Sequence, residues 1–236
     1  MAACWWRTLF PALSLFLLTA TFILTKTGRD ALYFSVDGGV SQLPVAYLGI
    51  AVLSLPAAKG TLRLIGWLGP RRARVAGLAI MAAVQLLFYA VVEPGGGWGM
   101  TLIFMLIPSL YGVLLSLSWL LGADLLDLAP RHVLGRLYST MGASSLLGGF
   151  AGAAVGRALA GWIEPRWFFL LGAIGLVLTA IVNIVANRLF PVMMMPENNL
   201  PVPSTEGGEI PDSQRLRALL NDRSVALLAA IALSAR

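Results

Sequence analysis

Long apolar runs, separated by short stretches rich in charge, proline and glycine, are the feature that most limits the folds open to this chain. A helix needs about 20 apolar residues to cross about 30 Å of hydrocarbon. Six runs come near or exceed that length: residues 9–34, 43–64, 75–92, 100–128, 137–162 and 167–189. With 58% hydrophobic and 12% charged residues, the composition is that of a polytopic membrane protein. We therefore expect an all-α fold, a polytopic membrane bundle of six transmembrane helices arranged as two three-helix repeats.

The basic residues indicate how such a bundle would lie in the membrane. They stand at the ends of the apolar runs rather than along one polar face, so we expect no nucleic-acid partner despite the net charge of +6. Cytoplasmic loops carry an excess of Lys and Arg. Most of the basic residues stand at the ends of the second, fourth and sixth runs or after them: Lys59, Arg63, Arg71, Arg72, Arg74, Arg131, Arg136, Arg188, Arg215, Arg217 and Arg223. This pattern predicts a multi-pass protein of the cell (inner) membrane, surrounded by lipid, with a cytoplasmic N-terminus.

The sequence changes character after the sixth run. We expect residues 1–189 to form the six-span bundle and residues 190–223 a cytoplasmic loop, because this stretch is rich in proline and glycine. Within the loop we expect a short amphipathic helix at 214–222. Residues 224–236 read as the start of a seventh span, but the apolar run at 225–233 is too short to cross a membrane. Either the chain is a fragment of a longer transporter, or this short apolar run packs against another surface.

Three charged residues interrupt the first apolar run. Lys26, Arg29 and Asp30 stand at positions i, i+3 and i+4, which share one face of a helix. A charge at the bilayer centre costs about 2.5–3.5 kcal/mol on insertion scales, so it needs a partner or a purpose. In one interpretation the helix ends early and the charged ends reach the outer interface. In the other, Asp30 pairs with Lys26, and the donor fork of Arg29 is left for a carboxylate or phosphate, or for a charge-pair gate, in a central cavity.

Two further patterns concern helix faces. A small residue recurs every fourth position in the fifth run, which lets two helices approach closely: Ser144, Gly148, Gly152 and Gly156. The stripe predicts either plain close packing or a surface that slides or rocks during transport. In the fourth run, polar or small residues recur at helical spacing: Ser109, Gly112, Ser116, Asp124 and Asp127. They predict a face toward the bundle interior; alternatively both aspartates lie at the cytoplasmic end, solvated or paired with Arg131 and Arg136.

Short motifs resemble those of known transporters. The basic turn at residues 69–74 resembles the cytoplasmic signature loop of the major facilitator superfamily. More specific similarity is to the ADP/ATP carriers of plastids and intracellular bacteria, through Lys26-Thr-Gly-Arg29-Asp30-Ala-Leu, Ser118-Trp119 with Asp124, Gly135-Arg136-Leu137-Tyr138 and Gly142. The resemblance covers most of residues 9–160, together with the loop and helix that lead into the expected seventh span.

This resemblance implies a twelve-span facilitator fold of which the chain is the N-terminal half, joined by a C-terminal half or a second copy. It also implies an antiporter that exchanges nucleotides. Lys26 and Arg29 would contact phosphate, and Asp30 and Asp124 would act in gating or coupling. We also expect Asp30, Trp119 and Asp124 in the substrate site. Asp127, Arg131 and Arg136 would be further gating or coupling residues.

The leading functional prediction is a secondary transporter that moves an anionic solute, such as ATP or ADP, by alternating access. A second hypothesis keeps the fold but makes it a proton-coupled exporter, with Asp30 or Asp124 carrying the proton. A third is a membrane scaffold or sensor whose loop at 190–222 recruits a soluble partner. Lone Cys4 and lone His132 suggest neither a disulfide nor a metal site. Since no nucleotide-binding glycine loop or catalytic triad pattern is present either, we expect neither an enzyme nor a cofactor.

Overall fold

Five helices account for nearly all of the chain that the structure describes. The structure, a computed structural model, describes residues 2–35, 41–91, 97–126 and 131–190, with the side chains of these ranges apart from those at 2–7, 97–98, 124–126 and 131–133. The helices are α1 (Ala2–Phe34), α2 (Leu43–Val91), α3 (Gly97–Leu126), α4 (Arg131–Leu159) and α5 (Trp167–Leu189). No strand occurs within these ranges, so the expectation of an all-helical chain is confirmed for them.

The number of candidate membrane spans differs from the six expected. Among the described residues, four helices are long and apolar enough to cross a membrane: Thr8–Phe34 in α1, Leu43–Val91 in α2, Gly99–Ala123 in α3 and Trp167–Leu189 in α5. Two of the expected spans, 43–64 and 75–92, fall in the single helix α2. The expected span at 137–162 lies largely in α4, which is less apolar because serine, threonine and glycine occupy many of its positions.

The range of α2 contains two helices that meet at a kink at one residue. Gly69 has φ 75° and ψ 160°, a conformation outside the helical region that glycine alone adopts readily. Pro70 follows, and proline suits the first position of a new helix because its missing N–H has no partner there. Residues 43–68 and 70–91 are therefore two separate rods.

Contacts with α3 show that these two rods run in opposite directions. Along residues 43–68, Gly49 lies against Met105 and the Ser109 hydroxyl donates to the Ile50 carbonyl at 3.1 Å. Along residues 70–91, Gly77 lies against Leu114, whereas Gln85, further on, reaches back to Tyr111. Ile50 and Gln85 thus lie at a similar level of α3, although a straight helix would hold them about 50 Å apart. In the part of the chain that the structure describes, helices α1 to α5 therefore provide six rods.

One end of the bundle gathers several chain segments that the sequence analysis assigned to the cytoplasm. The rings of Phe10 and Phe190 meet edge to face with centroids 5.7 Å apart. Arg71, just after the bend in α2, donates to the Phe190 carbonyl at 2.8 Å. A cation at this place stabilises the negative end of the α5 dipole. The start of α1, the bend at Gly69 and the end of α5 therefore share one end of the bundle.

The outer surface of the bundle carries large apolar side chains. Phe150 is 75% exposed, Leu146 69% and Leu62 69%. Exposed apolar area on this scale is typical of a surface that contacts lipid or a partner. Together with the four apolar candidate spans, it is consistent with a helical membrane bundle. The predicted loop and amphipathic helix after Phe190, and the predicted start of a seventh span, lie outside the described residues.

Candidate functional site

Helices α1 and α4 pack together through the predicted stripe of small residues. A Cβ added to Gly148 would collide with the backbone of Phe16, and one added to Gly152 with the backbone of Ala20. At Gly156 the same atom would lie 3.1 Å from the Thr27 hydroxyl. The glycines thus bring two helix backbones into contact, as small residues do at membrane helix interfaces.

Next to these glycines, one polar pair links the two helices. The hydroxyls of Thr19 and Ser145 lie 2.9 Å apart. Ser144, which the pattern had placed in the stripe, instead donates to the Thr140 carbonyl of its own helix at 2.9 Å.

The charged cluster lies within a continuous helix. Because α1 runs without a break to Phe34, the interpretation in which it ends early at the cluster is wrong. Arg29 is only 6% exposed. Its Nε and Nη2 atoms donate to Oδ1 of Asp30 at 2.9 Å and 2.5 Å, and its Nη1 donates to the Phe104 carbonyl at 3.3 Å. Its guanidinium carbon lies 4.1 Å from the centroid of the Phe104 ring.

This arrangement reverses the pairing expected from the sequence. Asp30 pairs with Arg29 rather than with Lys26, so the donor fork of Arg29 is occupied rather than free. The physical reason is the character of the two cations. A guanidinium is planar and weakly hydrated, so it can stack on an aromatic ring and grip a carboxylate with two donors. Lys26 is exposed, and it has no hydrogen bond or ion pair within the part of the chain that the structure describes.

A crevice of about 110 Å³ lies between α1 and α3, on the side of α1 that carries Lys26. Its walls are Leu18, Thr19, Phe22, Pro108, Tyr111, Gly112 and Leu115. Thr19, Phe22, Lys26 and Asp30 are spaced by three, four and four residues, which places them along one face of α1. The exposed lysine and the partly exposed aspartate therefore follow the crevice along the same helix face.

Behind the crevice, three polar side chains join three helices. The Tyr111 hydroxyl accepts a hydrogen bond from Nε2 of Gln85 at 2.7 Å and lies 3.3 Å from the Thr25 hydroxyl. Thr25 in turn donates to Oε1 of Gln85 at 3.4 Å. All three residues are buried, and their polar atoms satisfy one another within a largely apolar bundle. Gly172 of α5 lies directly against this group, which leaves no room for a side chain.

An apolar cluster adjoins the crevice at Leu115. Ala12, Leu15, Leu137 and Met141 form a buried cluster, and Leu115, Trp119 and Leu134 pack against it. Here α3 meets α4, because Gly122 lies against Met141 and Trp119 reaches Gly142. Trp119, which we expected in the substrate site, thus belongs to this cluster and not to the crevice wall.

The remaining predicted residues are not brought to this site by any described contact. Arg136 is exposed on α4. Asp127 lies outside the described residues, and although Asp124 belongs to α3 and Arg131 begins α4, their side chains are also outside them. The residues of the predicted polar stripe in the fourth run do not share one environment. Ser109 bonds toward α2, Gly112 lines the crevice, and Ser116 bonds within its own helix.

The sequence reasoning missed the buried polar group of Thr25, Gln85 and Tyr111. A signal was present, because Gln85 is an uncharged polar residue in the middle of an otherwise apolar run, and such residues usually seek a partner inside a bundle. Phe104 could not have been found in this way, since nothing in its sequence neighbourhood distinguishes it from a lipid-facing phenylalanine.

Comparison with protein-family models, with curated proteins and with solved structures gave no match.

Proposed function

We propose that this protein is a secondary transporter that moves an anionic solute by alternating access. In this proposal each of the six rods crosses the membrane once, with the two rods of α2 joined at Gly69, and the end of the bundle that holds Gly69 and Phe190 faces the cytoplasm. The arginines on either side of the bend support that orientation through the positive-inside rule. We place the protein in the cell (inner) membrane.

The exposed state of Lys26 is the observation that carries the proposal. Ionisable residues inside membrane helices are rare and mark substrate or ion pathways. The neighbouring Arg29 and Asp30 neutralise each other in the bundle interior, so they leave the Lys26 ammonium as the charge available to a solute. An ammonium beside a crevice attracts carboxylates and phosphates. This assigns the first contact with the anion to Lys26, and the holding of α1 against α3 to Arg29.

The choice of a nucleotide as solute rests on the resemblance of the α1 and α3 motifs to ADP/ATP carriers. On the same ground we propose that these six rods form half of a twelve-span facilitator, completed by a C-terminal half or by a second copy. Asp124 and Asp127 remain predicted coupling residues within that scheme.

Exchange in liposomes tests the proposal. The full-length protein is reconstituted into liposomes loaded with unlabelled ADP, and uptake of radiolabelled ATP is measured. The matched pair of variants is Lys26→Gln and Lys59→Gln, because the chain has only these two lysines and Lys59 is exposed on α2, away from the crevice. We expect Lys26→Gln to abolish exchange and Lys59→Gln to retain it.

Other outcomes would point to the other functional classes. Uptake that is unchanged in Lys26→Gln would refute the role of Lys26. Transport of another solute that follows a pH gradient and ignores nucleotides would favour the proton-coupled exporter. A protein that transports nothing, and whose segment 190–222 captures a soluble partner, would favour the scaffold or sensor.

A further inference from the structure

The side-chain hydroxyls in the crevice walls already make hydrogen bonds within the protein. Two wall residues carry a hydroxyl, Thr19 and Tyr111. The Thr19 hydroxyl donates to the Leu15 carbonyl at 2.8 Å and lies beside the hydroxyl of Ser145. The Tyr111 hydroxyl is held by Gln85 and Thr25. A polar group placed here would lose its water without gaining a hydrogen bond, which is unfavourable. The crevice therefore selects an apolar group.

The crevice is small and has rigid walls. The rings of Phe22 and Tyr111 lie 5.0 Å apart between centroids, and Pro108 adds a third rigid wall. An apolar cavity of about 150 Å³ is known to accept benzene. With about 110 Å³ and one side open, this crevice has room for a single aromatic ring that stays partly uncovered.

On the face of α1 that lines the crevice, the charged residue nearest to Phe22 is Lys26. It lies four residues beyond Phe22, which corresponds to a rise of about 6 Å along α1. The flexible side chain of lysine can adjust this distance. If a ring is bound in the crevice, a substituent that points along α1 could therefore contact the Lys26 ammonium.

We propose that the crevice between α1 and α3 binds the aromatic ring of an amphipathic anion, whose charged group is bound by Lys26. This inference rests on the proposed anion function, but it favours a solute other than ATP or ADP. The solute would carry a planar apolar ring one or two bonds from a phosphate or carboxylate, whereas adenine is polar and is separated from its phosphates by a ribose. A small inorganic anion would gain only the contact with Lys26.

Gly112 gives direct access to the crevice for a test. It lines the wall, it is exposed, and a Cβ built on it meets no atom within 4 Å. Gly112→Cys in a Cys4→Ser background therefore places a thiol at the crevice wall without a clash. Gly60→Cys is the matched control, because Gly60 is also exposed, also has no atom within 4 Å of its built Cβ, and lies on α2 outside the crevice.

The rate of reaction with N-ethylmaleimide is measured in liposomes with phenyl phosphate, inorganic phosphate or phenol. We expect phenyl phosphate to protect the Gly112→Cys thiol. At ten times its half-protecting concentration, the rate should fall about tenfold, since only the unoccupied fraction reacts. Inorganic phosphate should not protect, phenol should protect only at much higher concentration, and Lys26→Gln should weaken the effect of phenyl phosphate. The Gly60→Cys thiol should react equally in all conditions.

Each contrary result would contradict a different part of the proposal. Equal protection by inorganic phosphate would refute the ring site but keep the anion site. Equal protection by phenol, unchanged in Lys26→Gln, would refute the link between crevice and lysine. A thiol that fails to react without any added compound would mean that the crevice is already filled by lipid or protein. Protection by phenyl phosphate without ATP/ADP exchange would support the ring site and reject the nucleotide transporter.

Gly112→Leu provides a second variant that does not depend on labelling chemistry. Its side chain would fill the crevice, so we expect it to lose binding of radiolabelled phenyl phosphate, while Gly60→Leu keeps it. Retained binding in a folded Gly112→Leu protein would overturn the proposal.

Discussion

The guanidinium of Arg29 stacks on the ring of Phe104 and donates a hydrogen bond to the carbonyl of the same residue. Arg29 thereby binds one residue of α3 through both its side chain and its backbone, while Asp30 balances its charge. Removing one member of a buried ion pair leaves the other uncompensated. Stability should therefore depend on the pair more than on either charge alone.

Breaking this ion pair should destabilise the bundle in a non-additive way. We expect Arg29→Gln and Asp30→Asn each to cost about 2–3 kcal/mol, less than the 3–5 kcal/mol of fully buried pairs because Asp30 is 29% exposed. The double variant should cost clearly less than the sum of the two. Unfolding in mixed detergent micelles measures all three, and strict additivity would argue against coupling.

The three-residue group behind the crevice should also contribute to stability. Tyr111→Phe removes the hydroxyl that accepts from Gln85, so we expect a loss of about 0.6–1.7 kcal/mol, the range of hydrogen bonds between membrane helices. Tyr47→Phe is the control, because Tyr47 is 62% exposed. The same unfolding assay applies, and equal behaviour of the two variants would contradict the prediction.

Two adjacent glycines at the contact between α1 and α4, Gly148 and Gly149, should respond differently to substitution by alanine. Gly148→Ala would drive a methyl group into the Phe16 backbone, whereas a Cβ on Gly149 lies 3.7 Å from Thr19, an ordinary contact. We expect Gly148→Ala to cost about 1–3 kcal/mol through overpacking. Gly149→Ala should be neutral or slightly stabilising. Thermal unfolding followed by size-exclusion chromatography would separate the two.

A similar comparison isolates the backbone conformation at the bend in α2. Gly69→Ala should cost about 1–3 kcal/mol, because a residue with a Cβ is strained at this φ and ψ, although the Cβ itself meets no atom within 4 Å. Gly66 has equally open surroundings but ordinary helical geometry. Gly66→Ala should therefore stabilise by about 0.5–1 kcal/mol. Melting temperatures of the two variants should shift in opposite directions.

The helical content could be predicted from the sequence because long apolar runs allow few other structures. The number of separate helices could not, since Gly69 and Pro70 also fit an ordinary loop between two spans. Their conformation depends on how both rods pack against α3. The glycines at 148, 152 and 156 gave a periodic signal, but only the fold identifies α1 as the helix they contact.

The cluster of Lys26, Arg29 and Asp30 was recognisable because charges are rare in such a run. Its internal pairing was not, because spacing along a helix treats lysine and arginine alike. The decisive partner, Phe104, comes from another helix 75 residues away in sequence. Such long-range contacts determine which of two neighbouring cations turns inward and which remains accessible.

The apolar cluster beside the crevice has a consequence for the proposed transport. A solute bound at Lys26 would have to pass Trp119 and Met141, where α3 rests on α4. Because Gly148 and Gly152 hold α4 tightly on α1, those two helices would have to travel as one block. Since Arg29 and Thr25 also hold the neighbouring part of α3 on α1, a passage would require only the end of α3 near Trp119 to move away from α4.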